Sequence, residues 1–125
     1  MIIVDTDVLI EILDKGSKKG DKALARIEES EEDVAITSLT MHEVLYGVHK
    51  YGKTKEEEKI KLIETLPFDK KDASLSSKIE IGCERRGRKI SRMDSMIAAI
   101  AIDSGAKFFT FNRKHFEEIK DLNLF

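Results

Sequence analysis

Three short apolar runs constrain this chain more than any other feature. They are "IIV" at residues 2–4, "VAIT" at 34–37 and "AKFFTFN" at 106–112. Each is bounded by polar residues and followed by helix-like or turn-like sequence, as buried strands are. After the first run the apolar pattern resumes at helical spacing with Val8, Leu9 and Ile12. Helical pattern is expected over about 6–14, then from the loop "KGSKKGD" through Ala23, Leu24 and Ile27, with Ser17 or Asp21 as its cap. The second run leads into "SLTMHEV", where Thr40 and Glu43 have capping-box spacing. Thr54 and Glu57 repeat that spacing ahead of a helix carrying Ile60, Ile63 and Leu66. Residues 69–87 read as mostly helical, and an apolar helix from Met93 ends at Gly105, a good C-cap. A short helix over 113–119 and an edge strand at "LNLF" close the chain. Strands that alternate with helices predict a parallel sheet. The long middle stretch without a strand predicts a helical hairpin packed on one side.

The chain's 125 residues suit one domain, 1–125, with a single core. Charged residues make up 37%, but 24 acidic and 22 basic side chains leave a formal net charge of -2. That balance argues against a general nucleic-acid coat and leaves room for a local basic patch. A single cysteine, Cys83, excludes an intrachain disulfide, suits a reducing compartment and reads as an ordinary helix residue. No apolar run approaches the ~18 residues of a membrane span. Met1 leads directly into a strand-like run without a basic leader, so no membrane association and a cytoplasmic location are expected.

In an open parallel sheet, ligands bind beyond the carboxyl ends of the strands. Asp5 ends the first strand, and Thr110 and Asn112 end the third. Glu43 lies near the start of the helix after the second strand, and Asp94 near the start of the helix before the third. One sheet edge can therefore gather Asp5, Glu43, Asp94 and Asn112. Each has an ordinary explanation as a cap or a partner of a helix dipole. Gathered together they repel, and a cation among them would relieve that. Oxygen donors without paired Cys or His favour Mg2+ or Mn2+ over zinc. His42, His49 and His115 have no zinc-ligand spacing and read as non-ligands.

Four segments, "IIVDTDVLIEIL", "ITSLTMHEVLYGV", "ISRMDSMIAAIAIDSGAKFFTFN" and the tail "TFNRKHF", occur in an order and spacing that resemble PIN domains, and within them the VapC toxins of prokaryotic toxin–antitoxin pairs. The likeness covers essentially the whole chain. It implies an α/β chain with a PIN-like three-layer α/β/α fold, built on a small, mostly parallel sheet of about four or five strands with a helical hairpin. It implies Mg2+- or Mn2+-dependent hydrolysis of RNA phosphodiesters, a homodimer, and an antitoxin protein that holds the enzyme inactive. On this resemblance Asp5, Glu43, Asp94 and Asn112 are the catalytic set. Asp5 and Asp94 hold the first ion, while Glu43 orients the attacking water or helps hold a second ion. Thr6, Asp7 and Thr110 support them, Asp7 as a helix cap or a ligand-positioning residue. The chain departs from the family in its last motif. Asn112 stands at a position that is often acidic, and His115 where Asp is common, which puts a second metal site in doubt.

"CERRGRKISR" places Arg85, Arg86, Arg88, Lys89 and Arg92 immediately before Asp94, in position to contact RNA phosphates beside the catalytic edge. The plain alternative is a solvated turn. Lys15, Lys18 and Lys19 form a weaker candidate patch, and Tyr46 and Tyr51 read as packing or dimer residues. Val44, Leu45, Val48, Ile60 and Ile63 either face a dimer or antitoxin surface or pack the helical hairpin internally.

Three rival functions share these features. A haloacid-dehalogenase-type phosphatase would explain both Asp5 and Asp7, but the chain is short for that fold and has no late Gly-Asp…Asp pair. A PIN-like protein that binds RNA or an antitoxin with little or no cleavage would explain Asn112 and His115. A nuclease of RNA maturation outside toxin–antitoxin systems would share the same site.

Overall fold

The computed structural model describes residues 1–125. Along the chain its elements are β1 (Ile2–Val4), α1 (Thr6–Leu13), α2 (Lys18–Ser30), β2 (Val34–Thr37), α3 (Ser38–Lys50), α4 (Thr54–Lys61), β3 (Thr65–Leu66), α5 (Lys70–Arg85), α6 (Arg92–Ser104), β4 (Lys107–Phe109), α7 (Arg113–Phe116) and β5 (Asn123–Leu124). The strands form one sheet in the order β3-β2-β1-β4-β5, with every pairing parallel.

The sheet is central because its strands are apolar on both faces. Successive residues point to opposite sides. Ile2, Val4, Ile36 and Phe109 face a core completed by Val8 and Leu9 of α1, Ala23 and Ile27 of α2, Val44 and Val48 of α3 and Ile60 of α4. Ile3, Ala35 and Phe108 face a second core with Ile97, Ala98, Ile100 and Ala101 of α6 and Phe116 of α7. The result is the three-layer α/β/α arrangement expected from the sequence. Two glycines meet distinct backbone needs. An added Cβ on buried Gly20 of α2 would lie 1.9 Å from the Glu11 carbonyl oxygen of α1. Gly105 ends α6 at a φ of 68°, in the left-handed region.

Four sequence expectations change. The middle of the chain does contain a strand, since Leu66 pairs with Thr37 in β3 rather than extending a helix. Pro67 follows, and the residue before a proline is driven toward extended backbone. The strand splits that stretch, and the α5–α6 hairpin packs against the Ile3 face. Thr40 and Glu43 form no capping box. Helix α3 leaves β2 without a loop, so Thr37 is the N-cap and accepts from the Thr40 amide at 3.1 Å. Nor do Thr54 and Glu57, because Lys53 is the N-cap of α4, and Glu57 binds His49 at 3.2 Å and Lys61 at 3.0 Å. Val44, Val48 and Ile60 are core residues, with Leu45 and Ile63 packed against them, so the internal reading of that stripe holds. No helix is long and apolar enough to cross a membrane.

Candidate active site

The turn from β1 into α1 builds the centre of the carboxyl edge. Asp5 is the N-cap of α1, and its Oδ1 accepts from the Thr6 amide at 2.8 Å. Its Oδ2 accepts from the Thr110 hydroxyl at 2.7 Å. Thr110 follows β4, the neighbour of β1, so adjacent strand ends make this contact. The Thr110 hydroxyl also accepts from the Asn112 amide at 3.0 Å, which fixes the turn after β4. Asp5 is only 8% exposed, although it is a carboxylate.

Asp7 is not the helix cap. It lies in the first turn of α1, and its Oδ1 reaches the Phe111 amide at 3.5 Å. Glu43 lies further into α3 than capping-box spacing implied. Its Oε1 accepts from the Thr6 hydroxyl at 2.9 Å, and that hydroxyl also lies 3.2 Å from the Thr40 hydroxyl. Thr6 thus ties the Glu43 side chain to the Asp5 turn. Asp94 is in the first turn of α6, where its amide donates to the N-cap Ser91 hydroxyl at 3.0 Å. Its Oδ2 lies 3.8 Å from His115 Nδ1, and that nitrogen lies 2.7 Å from Asn112 Nδ2. The predicted residues Asp5, Thr6, Asp7, Glu43, Asp94, Thr110 and Asn112 are brought together on one edge. Thr40 and His115 join them without having been singled out as site residues. His115 was legible as a site neighbour through its place in the last motif, "TFNRKHF".

The electrostatics are lopsided. Burial pushes the Asp5 carboxyl from its ordinary 3.8 up to about 6, and the charges of Asp7 and Asp94 add to the rise. The bonds from Thr110 and the Thr6 amide oppose it. No lysine or arginine forms an ion pair with Asp5, Asp7, Glu43 or Asp94, and His115 beside Asp94 is their one basic contact. Folding has gathered hard oxygen donors around a partly buried carboxyl and left their charge uncompensated. A divalent cation fits that donor set.

The basic segment lies on the α5–α6 turn, next to Asp94. Arg85 ends α5, Arg86 is its C-cap, and Arg92 begins α6. All five side chains are exposed, but not all are free. Arg92 is held by the Glu80 carboxylate at 3.2 and 3.3 Å, and Arg88 Nε lies 2.7 Å from Glu118. Arg86 reaches the Cys83 sulfur at 3.6 Å. Arg85, Arg86 and Lys89 have no carboxylate partner. Of the weaker lysine patch, Lys19 sits 4.1 Å above the Phe111 ring, beside the site.

A second acidic group lies at the other end of the α5–α6 hairpin. Carboxylate oxygens of Asp69, Asp72 and Asp103 come within 4.8 Å of one another. Asp69 and Asp72 form a reciprocal capping box at the start of α5, and Lys71 pairs with Asp103 at 3.3 Å. The α5 N-terminus supplies partial positive charge that suits Asp69 and Asp72, while Asp103 comes from the last turn of α6 and Asp72 Oδ1 is buried without a hydrogen-bond partner.

The chain matches the PIN domain family over residues 2–122. It is 32% identical over 127 residues to Ribonuclease VapC1 of Methanocaldococcus jannaschii, covering 98% of this chain and 84% of that protein. A solved structure of VapBC2 from Rickettsia felis bound to a DNA fragment from its promoter aligns with a TM-score of 0.82 and 25% identity, over 100% of this chain and 98% of that one. FitAcB from Neisseria gonorrhoeae aligns with a TM-score of 0.85 and 25% identity, over 100% and 96% of the two chains.

Proposed function

The chain belongs to the PIN-domain family, and from that premise we propose that it is a VapC-type endoribonuclease, the toxin of a toxin–antitoxin pair, that uses Mg2+ or Mn2+ at the Asp5 edge. One observation carries the metal assignment. Asp5, Asp7, Glu43 and Asp94 converge with no lysine or arginine to neutralise them. RNA phosphate is also anionic, so this edge repels its substrate until a cation is present.

Asp5 and Asp94 are the residues to hold the ion, with Glu43 facing them from α3. A bound divalent ion supplies an acidified water and neutralises charge on the phosphate. The chain's own residues do the positioning. Thr110 and the Thr6 amide aim the two Asp5 oxygens, and the Thr6 hydroxyl restrains Glu43 at the entrance, where its carboxylate can orient a water and accept its proton. Asn112 contributes an uncharged amide next to Asp94 and His115. Arg85, Arg86 and Lys89, the cations of the adjoining turn without a carboxylate partner, are the residues to hold the RNA backbone. The site holds no Ser–His–Asp arrangement, and direct attack by water without a covalent enzyme intermediate is the expected course.

The partner is an antitoxin protein, the protein functions as a homodimer, and it acts in the cytoplasm. Exposed Tyr46, Tyr51 and Leu62, at 61%, 71% and 87%, offer apolar surface for protein contacts. The test is cleavage of a labelled mixed RNA pool by antitoxin-free protein with Mg2+, Mn2+ or EDTA, beside a generic phosphatase substrate. Metal-dependent RNA cutting with the phosphatase substrate intact supports the reading. If neither substrate is cut while RNA still binds, the weakly or non-cutting reading suggested by Asn112 and His115 replaces it.

A further inference from the structure

A cleft of about 400 Å³ lies between the α5–α6 turn and α7, and it shares a wall with the carboxylate edge. His115 is that wall. It lines the cleft and stands 3.8 Å from the Asp94 carboxylate. The remaining lining divides by chemistry. Cys83, Ile90 and Ile119 give an apolar floor, and Lys89 and Lys114 are exposed cations on opposite rims, one from each element. Arg88 and Glu118 span the two sides with a 2.7 Å ion pair, so the cleft's far boundary is tied rather than open-ended.

This combination does not suit a bare phosphate, which needs no apolar floor. Nor does it suit a helix or an extended protein segment, because small-molecule pockets of ~300–1,000 Å³ hold compact ligands and this cleft is near their lower end. A flat, partly apolar base attached to an anionic phosphate matches it. We propose that this cleft receives one nucleotide of the RNA next to the cleaved bond, with its base against Ile90 and Ile119 and its phosphate between Lys89 and Lys114. The proposal rests on the ribonuclease reading and deepens it: the cleft, not the metal site, selects which RNA sequence is cut. Glu118 is the sole carboxylate in the lining, and its oxygens can accept from a base with an exocyclic amino group.

The test has two arms. In the first, 15N-labelled protein in EDTA is titrated with each of the four nucleoside 5′-monophosphates. The Gly87, Lys89, Lys114 and Glu118 amides are expected to shift saturably with at least one nucleotide, and the shifts are expected to vanish in Lys89→Ala/Lys114→Ala. Both lysines are exposed, so that variant folds. In the second arm, the ends of RNA fragments cut by wild type are sequenced. A base preference beside the cut is expected, and the double variant should raise KM about tenfold while kcat stays within about threefold. No saturable shift at those amides, or an unchanged KM and end preference in the double variant, overturns the cleft while the ribonuclease reading stands. Absence of any cutting by wild type overturns both, even if nucleotides bind.

Discussion

Thr110 and Asp5, 105 residues apart in sequence, are joined by a 2.7 Å hydrogen bond in which the buried threonine hydroxyl donates to the buried carboxylate. The same hydroxyl accepts from the Asn112 amide. One side chain therefore couples the end of β1 to the turn after β4, and holds the acid most distorted from its ordinary pKa.

Replacing Thr110 by valine keeps the shape and removes both bonds. A buried acceptor left without its donor costs roughly 1–3 kcal/mol. The Thr110 bond also holds the Asp5 pKa down, so Thr110→Val is expected to move the acid limb of the cleavage–pH profile to higher pH. Thr110→Ser should restore both stability and profile. Thermal melts and initial rates across pH 5–8 would read this.

Asp5 makes the metal-free protein less stable near neutrality. Its folded pKa of about 6 lies above the ordinary 3.8, so the folded state binds this proton more tightly than the unfolded chain. That advantage is full below the unfolded value and is lost as pH rises through the folded one, amounting to about 3 kcal/mol. In EDTA at pH 7, Asp5→Asn is therefore expected to melt above wild type, with the difference closing toward pH 4. Mg2+ should raise the wild-type Tm at pH 7.5 more than at pH 5.5, and leave the variant unmoved.

Thr6 is half-buried and anchors Glu43 through its hydroxyl. Loss of a residue that orients a metal-site carboxylate typically costs about 10–100-fold in activity or affinity. Thr6→Val is expected to fall in that range in kcat with a small change in Tm, and Thr6→Ser to recover. Equal activity of the valine variant would remove Glu43 positioning from the mechanism.

The α1–α2 contact that frames the Asp5 turn tolerates no side chain at Gly20, where a Cβ meets backbone at 1.9 Å. Gly20→Ala should destabilise by roughly 1–3 kcal/mol or more. Gly47 of α3 has nothing within 4 Å of an added Cβ. Gly47→Ala should stabilise by roughly 0.5–1 kcal/mol, as alanine does inside a helix. Chemical denaturation of the two variants compares them directly.

Much of this was legible because strand and helix ends in a parallel sheet are written locally. "IIVDTD" carries its own burial and its own polar stop, and the apolar run from Met93 to the Gly105 cap marks α6. What was not legible depended on neighbours. Leu66 looks helical by spacing, and only the free edge of β2, together with Pro67, makes it a strand. Glu43 looks like half of a capping box until β2 is seen to run into α3 without a loop, which gives the cap to Thr37. Asp7 looks like a helix starter until Asp5 is found to serve as both cap and site residue. The basic segment shows five charges in sequence, but the long-range partners Glu80 and Glu118 decide which are free.

Two acidic groups could compete for a cation, and a Mn2+ titration followed by electron paramagnetic resonance decides between them. Wild type, Asp94→Asn and Asp72→Asn would be titrated at pH 7.5, and each assayed for RNA cleavage with the same ion. The account predicts that Asp94→Asn loses the tightest Mn2+ site and the cleavage together, while Asp72→Asn keeps both. Retention of tight Mn2+ binding and cutting by Asp94→Asn, with their loss in Asp72→Asn, would contradict it.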